Sequence, residues 1–493
     1  MPRVLLRNPL HPDVLVGAVV ISMPAGACSL AGRTPNSLAG IPLDVGSTWQ
    51  TIVTAGAAND TFIVKSGIHR HQAVLTPKNG QRFLGETGAI MSGAKVLIGA
   101  TGSNPWVYSS QTQEGSVGTQ LCMIGHDRCV RPEDLFLDNV MLEHVATVGE
   151  GASGKWFFDY TADEIKIWDN PAGKVVETSV TPIAFDGSSV TGVIISGLII
   201  EKYATVSSGA VRLHTGWILQ DSEVHLNHCA GVTTNGGSIA RRNHVHHNGG
   251  YSFTGTGSTI LVEDNEVNHN NVAFFDAGWG ASSKWVFTDG LTVSGNYVHH
   301  NYGNGLWTDI SNINTIYEDN IVEYNELAGI FHEISYAAII RRNTCRYNGT
   351  NLPTWYSGQV AGSGILVVDS PNVQVYDNVA YSNRGGIAGV EDGRGTDPVT
   401  NPDETNGTWK LENFDVHDNV ITMIHAQAQS GIVQFTVTND LCFTSRNNHF
   451  GDNEYHLVPS SSSFYWDDGA RNETAWKGYG NDDGVGASFT YDQ

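Results

Sequence analysis

Two short segments carry the residues best suited to chemistry, Gly305-Leu306-Trp307-Thr308-Asp309 and Gly329-Ile330-Phe331-His332-Glu333. Each runs aliphatic, aromatic, small or polar, carboxylate. In an extended strand alternate side chains share a face, so with Leu306 and Ile330 turned inward, Trp307, Phe331, Asp309 and Glu333 all point outward. As neighbouring strands they would bring the two carboxylates roughly 4.8 Å apart at the backbone. At about 5 Å and an effective dielectric near 20, two like charges repel by about 3 kcal/mol, which raises one pKa and leaves one acid and one base. A carboxyl pair flanking a bond is what glycoside hydrolysis uses, at about 5 to 5.5 Å for retention and 6.5 to 9.5 Å for inversion. The aromatics Trp307 and Phe331 would offer an apolar face for a sugar ring. A solvated or calcium-bridged carboxylate ladder is the competing explanation for the same residues.

The other polar residues are weighed against that pair. His332 lies between Phe331 and Glu333 and by alternation points inward, so it is either a base at the site or a satisfied core histidine. Phe274-Phe275-Asp276 and Lys284 fall one repeat earlier, which would set Asp276 and Lys284 at the rim of the same groove or pair them in a loop salt bridge. His244, His246, His247, His269, His299 and His300 crowd together. His246 and His299 lie two repeats apart, about 9.6 Å, too far to share one zinc ion with bonds of about 2.0 to 2.1 Å. A stacked polar ladder is expected there and no metal site. Arg241-Arg242 and Arg341-Arg342 occupy equivalent positions and read as corner salt bridges. No phosphate-binding glycine loop, Ser/His/Asp set or Cys/His zinc motif stands in a suitable context.

What must position these residues is a repeat. Asn recurs in pairs, Asn243/Asn248, Asn265/Asn270, Asn296/Asn301, Asn320/Asn325, Asn343/Asn348 and Asn378/Asn383, with first members 22, 31, 24, 23 and 35 residues apart. A unit of 22 to 24 residues with insertions is a solenoid period. Its short runs, such as Thr292-Val293 and Ile339-Ile340, alternate like strands and lack helical spacing. Such coils pair their backbone groups only by stacking in parallel about 4.8 Å apart, which aligns equivalent residues into columns. Asn suits a corner because it tolerates left-handed backbone and its amide can bond to its neighbours. Val245, Val267, Val298 and Val322 form the matching inward column. Cys229 and Cys345 follow Asn227 and Asn343 about five coils apart, roughly 24 Å, so they cannot be bonded to each other.

This pattern resembles the right-handed parallel β-helix, the pectate-lyase-like architecture of polysaccharide lyases and hydrolases, epimerases and phage tailspikes. The resemblance implies an all-β solenoid over residues 44–450, a glycan-facing groove, and a capped N-terminal end; Ser47 to Ala57 is the expected capping helix, followed by Thr61-Phe62-Ile63-Val64 and a turn at Lys65-Ser66-Gly67. Lys155 to Pro171, with Trp156 and Trp168, reads as a hairpin outside the coils, and Glu391 to Gly407 as a loop. From Gly451 the repeat is lost, so residues 451–493 are expected to pack as a C-terminal tail. Arg3, Arg7, the apolar run Val14 to Met23 and Ala25-Gly26-Ala27-Cys28 outline a secretory signal, while Pro9, His11, Pro12 and Asp13 interrupt its approach. Residues 1–43 are therefore a cleaved leader or an anchoring extension.

Composition excludes several classes. Charged residues are 16%, hydrophobics 40%, and glycines number 56, which rules out a disordered chain or a coiled coil. No stretch after Met23 reaches the ~20 apolar residues of a membrane span. A net charge of -23, from 27 basic and 50 acidic residues, with no basic patch, argues against nucleic acid. It also favours neutral or weakly acidic glycans, because a polyanion would need calcium; no other cofactor is called for. Six cysteines are too few for a disulfide scaffold; Cys122 and Cys129 form a local bridge or remain two buried thiols. Three functions fit: a phage tail protein of the tailspike or minor-tail kind that recognises host surface polysaccharide, with or without cleaving it, docked to other tail proteins through the N-terminal segment; a secreted polysaccharide lyase or hydrolase; and a non-catalytic structural spike. All act on the virion, outside the cell or at its surface.

Overall fold

A computed structural model describes residues 39–276, 280–349, 360–394, 406–425, 428–459 and 462–491. Arg3, Arg7, the apolar run and most of the 1–43 segment lie outside the described residues, as does the middle of the loop expected over Glu391 to Gly407.

The asparagine columns exist, and they are continuous. At one corner each side-chain amide donates to the Oδ1 of the next, from Asn243 through Asn265, Asn296, Asn320, Asn343, Asn378, Asn419 and Asn453, at 2.9–3.0 Å. A second ladder runs from Asn227 through Asn248, Asn270, Asn301, Asn325 and Asn348 to Asn383. The same Oδ1 also accepts the backbone N–H of the Asn one rung below, as Asn320 does for Asn296, so every amide is satisfied inside the protein. The first ladder ends on Asp482, whose Oδ1 accepts from the backbone and side chain of Asn453 while its Oδ2 accepts from the Tyr455 hydroxyl and Trp476 Nε1.

The physical reason for Asn differs from the expected one. The left-handed residue at each corner is the one before the asparagine: Arg242, Asp264, Asp319, Arg342, Asp377 and Asp418 at the first, His247, His269, His300, Tyr324 and Tyr347 at the second, all with φ between 51° and 58°. Asn is selected by its two-sided amide, not by backbone tolerance.

Three faces result. A 22-stranded sheet bends into two of them, joined through the long strands Tyr251–Glu263 and Ser283–Ser294, which cross the corner. A 13-stranded parallel sheet closes the third. The core between them is a set of stacked columns; Val224, Val245, Val267, Val298, Val322 and Cys345 follow one another in register on the third sheet. All are buried, each valine contributing about 1.5–3 kcal/mol through apolar burial. This is an all-β parallel β-helix. The helix Trp49–Ala55 covers its N-terminal end with Trp49 and Val53 buried.

Cys229 and Cys345 are free and buried, as the rise along the axis required, but they are not in equivalent columns: Asn227 belongs to the second ladder and Asn343 to the first. Cys122 and Cys129 are joined as a disulfide.

Two segments differ from the expected outline. The hairpin Lys155–Asp159 with Glu164–Ile167 is part of an 8-stranded mixed sheet drawn from Ala94 to Ser179, with its own core of Leu135, Trp156, Phe158, Ile165 and Ile167. Stacking also continues past Gly451: Glu454–Leu457 pairs in parallel with Val420–Met423, and Ser488–Thr490 pairs with Glu454–Leu457. The asparagine pattern fades there because the ladder terminates, while the coil does not.

Candidate active site

The strands Leu306–Asp309 and Ile330–Glu333 pair in parallel with Leu306 opposite Ile330, Trp307 opposite Phe331, Thr308 opposite His332 and Asp309 opposite Glu333. Alternation holds: Leu306 and Ile330 enter the central core, and Trp307, Phe331 and both carboxylates are on the outer face. The chain bends immediately afterwards. Ile310 and Ile334, the residues following Asp309 and Glu333, have φ of 60° and 35°, a region that a β-branched side chain enters only at a cost of about 1–3 kcal/mol. Packing of Ile334 with Tyr336 and Trp409, with Ile310 against them, offsets it.

Each carboxylate has a cation. Lys284 Nζ lies 2.8 Å from Asp309 Oδ2 and 3.7 Å from the centre of the Trp307 ring, so one ammonium serves an ion pair and a cation–π contact. Glu333 Oε1 pairs with the Arg394 guanidinium. Burial, and next the charge of Asp309, push the Glu333 carboxyl up to about 7 against the opposing pull of Arg394 and Lys284. Asp369 holds the loop that delivers Arg394: its carboxylate accepts the backbone N–H of Asp392 at 2.9 Å and of Arg394 at 3.0 Å. Burial raises Asp369 to about 6.

Three expectations about this site need correction. Trp307 and Phe331 do stack, 5.5 Å apart and 15° from parallel, but they are only 3% and 6% exposed. They belong to an outer apolar cluster with Cys229, Tyr251, Phe275 and Leu366, so they are not an open platform for a sugar ring. His332 is not a base at the site. It faces the interior, fully buried, with Nδ1 2.7 Å from Thr308 Oγ1 and Nε2 donating to the Tyr336 carbonyl at 2.7 Å; burial pushes its pKa down to about 4, so it is a neutral core histidine. Lys284 reaches the site, and its ion pair is to Asp309. Asp276 is seated against the disulfide loop instead, its N–H donating to Leu121 O at 2.9 Å.

Arg394 and Asp369 were not found from sequence, because both act through a loop that no repeat period places. Their only signal was the acidic, glycine-rich composition of the Glu391 region. The arginine pairs are corner ion pairs: Arg242 to Asp221, Arg341 to Glu318, and Arg342 to Asp319 and Glu318. At the second corner His247, His269, His300, Tyr324 and Tyr347 stack ring on ring at 4.9–5.5 Å. An open groove of about 680 Å³ lies on the adjoining face, lined by Asn314, Ile316, Ile339, Gln374, Asn413 and His449 among others. It carries a hydrogen-bonded ladder, Asn447 to Asn413 to Asn372, and its lining holds a single carboxylate, Asp415, 3.8 Å from His449 Nδ1.

A family model described as a right-handed β-helix region matches residues 231–403. No curated protein matches the chain in sequence. Among solved structures, that of XylC with xylose superposes with a TM-score of 0.59 at 12% identity, covering 83% of this chain and 80% of that one, and shares the fold. The A-module of the mannuronan C-5 epimerase AlgE6 of Azotobacter vinelandii gives 0.47 at 13% identity over 90% of this chain and 94% of its own. The Dettilon tailspike protein gives 0.36 at 11% identity over 63% and 62%.

Proposed function

We propose that this chain is a glycan-recognising β-helix protein that works outside the cytoplasm, with Asp309 and Glu333 as the acid/base pair of a polysaccharide-cleaving site. The observation that carries the reading is the register-matched pair itself: Glu333, its carboxyl raised to about 7 by burial and by Asp309, stands on the rung next to Asp309, which pairs with Lys284. Glu333 would donate its proton to the leaving glycosidic oxygen, and Asp309 would act as base or nucleophile on the opposite side of the bond. Arg394 and Lys284 position the two carboxyls and limit their repulsion. Neutral or weakly acidic glycans suit a chain of net charge -23. The Cys122–Cys129 disulfide supports an oxidising compartment, and the fold shared with a protein solved in complex with xylose supports a sugar ligand.

The test is a reducing-end assay across a glycan panel, with unsaturated products followed by ultraviolet absorbance to separate elimination from hydrolysis. On a substrate the parent cleaves, Asp309→Asn and Glu333→Gln are each expected to lower turnover roughly 10²-fold or more. Full activity in both variants would refute the assignment. A second reading, a non-catalytic spike, is favoured by two features: both carboxylates already have cationic partners, and the aromatic pair is covered. Binding without cleavage across the panel selects it. Tail-borne recognition of host polysaccharide and secretion as a free lyase or hydrolase differ in the fate of residues 1–43, so the intact mass of the natively produced protein separates them: a chain beginning near residue 28 is the secreted form.

A further inference from the structure

Among the described residues, one group of side chains on the third sheet has the composition and geometry of a transition-metal site. On the strand His244–His246 both histidines point outward, two positions apart on one face. Directly beneath them the strand Glu223–His225 presents Glu223 opposite His244 and His225 opposite His246. One ligand atom from each of Glu223, His244 and His246 lies within 4.8 Å of the other two. Glu223 Oε1 and His246 Nε2 are already 3.1 Å apart, close to the roughly 3.3 Å edge of a tetrahedron with metal–ligand bonds of about 2.0–2.1 Å. The imidazole rings of His244 and His246 stack at 3.9 Å, so His244 must turn out of the stack for its nitrogen to converge with His246 and Glu223 on one ion. Glu223, His244 and His246 retain 22%, 30% and 12% side-chain exposure, which leaves the group open to an ion from solvent.

We propose that Glu223, His244 and His246 bind one divalent transition ion of the zinc class on the outer face of the third sheet. The inference goes beyond the glycan reading and is independent of it, since these residues are not among those assigned to the carboxylate pair. The ligand set selects the ion. Two imidazoles and one carboxylate suit zinc, with solvent in the fourth position, whereas calcium takes six to eight oxygen ligands, which this face does not supply. His225 stays outside the first set: its Nε2 lies 3.3 Å from Glu201 Oε2 and 3.9 Å from Glu223 Oε1. His244 Nε2 lies 2.9 Å from the Asn268 amide nitrogen, so coordination through that nitrogen displaces Asn268. His246 and His299 stand two rungs apart, and the ligands lie instead on one strand and the rung below. Bound there, the ion ties two consecutive coils together.

The test uses the full chain without a histidine tag, stripped with chelator and titrated with Zn²⁺ against a chromophoric competitor. One ion per chain is expected at micromolar affinity or tighter, with His246→Ala and Glu223→Gln each weakening it at least tenfold. His300→Ala, in the corner stack, is the control that leaves affinity unchanged. With Co²⁺ as probe, the visible absorption of a low-coordinate nitrogen and oxygen site should appear in the parent and be lost in His244→Ala/His246→Ala. Circular dichroism confirms that each variant is folded. The proposal is overturned if the double variant binds Zn²⁺ as the parent does, or if the parent takes up no ion tighter than millimolar.

Discussion

Replacing Glu333 with Gln should stabilise this protein at pH 8 and leave it nearly unchanged at pH 4.5. Its carboxyl sits at about 7 against an ordinary 4.5, raised first by burial and then by Asp309 on the adjoining rung. A folded-state pKa above the unfolded one means that the group's contribution is fully present below about pH 4.5 and is lost as pH rises through about 7. At about 1.4 kcal/mol per tenfold change in proton affinity, the interval corresponds to about 3 kcal/mol at most. Coulomb repulsion gives an independent measure: two carboxylates about 5 Å apart at an effective dielectric near 20 repel by about 3 kcal/mol, before Arg394 and Lys284 subtract their share. Gln keeps the shape and removes the charge. Urea unfolding from pH 4.5 to 8 should therefore show the variant gaining on the parent by about 2 to 3 kcal/mol, most of it between pH 5 and 7. A variant less stable than the parent by the same amount at every pH would refute the reasoning, because Glu333 would then be an ordinary ionised partner of Arg394. If the chain cleaves a glycan through Glu333 as acid, turnover should fall above about pH 7 along the same titration.

Other consequences are equally direct. Asn320→Ala strands the Asn296 N–H and the Val293 carbonyl, both bonded to the Asn320 side chain; it should cost about 2–4 kcal/mol in urea unfolding, while Gln374→Ala on the exposed strand surface stays within about 0.5 kcal/mol. Trp307→Ala empties a buried position of the outer cluster and should cost about 3–5 kcal/mol; a loss under about 1 kcal/mol would show that the ring is not packed there. Replacing Cys122 and Cys129 with Ser opens a short loop whose closure is worth about 2 kcal/mol. Because Cys122 bridges to Phe275 and Met123 bonds to the Phe274 carbonyl, hydrogen exchange should rise around residues 272–276 and not in the asparagine ladders.

Much of this molecule was legible before any coordinates, for a reason that can be stated residue by residue. A solenoid is periodic along one axis, so the spacing of Asn243, Asn265, Asn296 and their successors sets the coil length, and coil length sets the register. The pairing of Asp309 with Glu333 and of Trp307 with Phe331 follows from that spacing together with strand alternation. The inward valines follow by the same rule. Period-based reading failed where contacts leave the axis. The strands between Ala94 and Ser179 pair mostly antiparallel and carry no repeat, so only their most obvious hairpin was seen. Beyond Gly451 the Asn signal stops at Asp482 although strands still stack.

The sequence by itself determined the parallel β-helix, its two asparagine corners and the outward carboxylate pair, because each depends only on local period and on the alternation of a strand. Tertiary structure alone decided what surrounds that pair. Lys284, which the repeat already set at the rim, takes Asp309 as its partner, Arg394 arrives from a loop held by Asp369, and the outer cluster closes over Trp307 and Phe331. The Arg394 contact joins residues whose separation along the chain obeys no period, and burial, which raises the Glu333 carboxyl, is a property of the packed surroundings that no single strand carries.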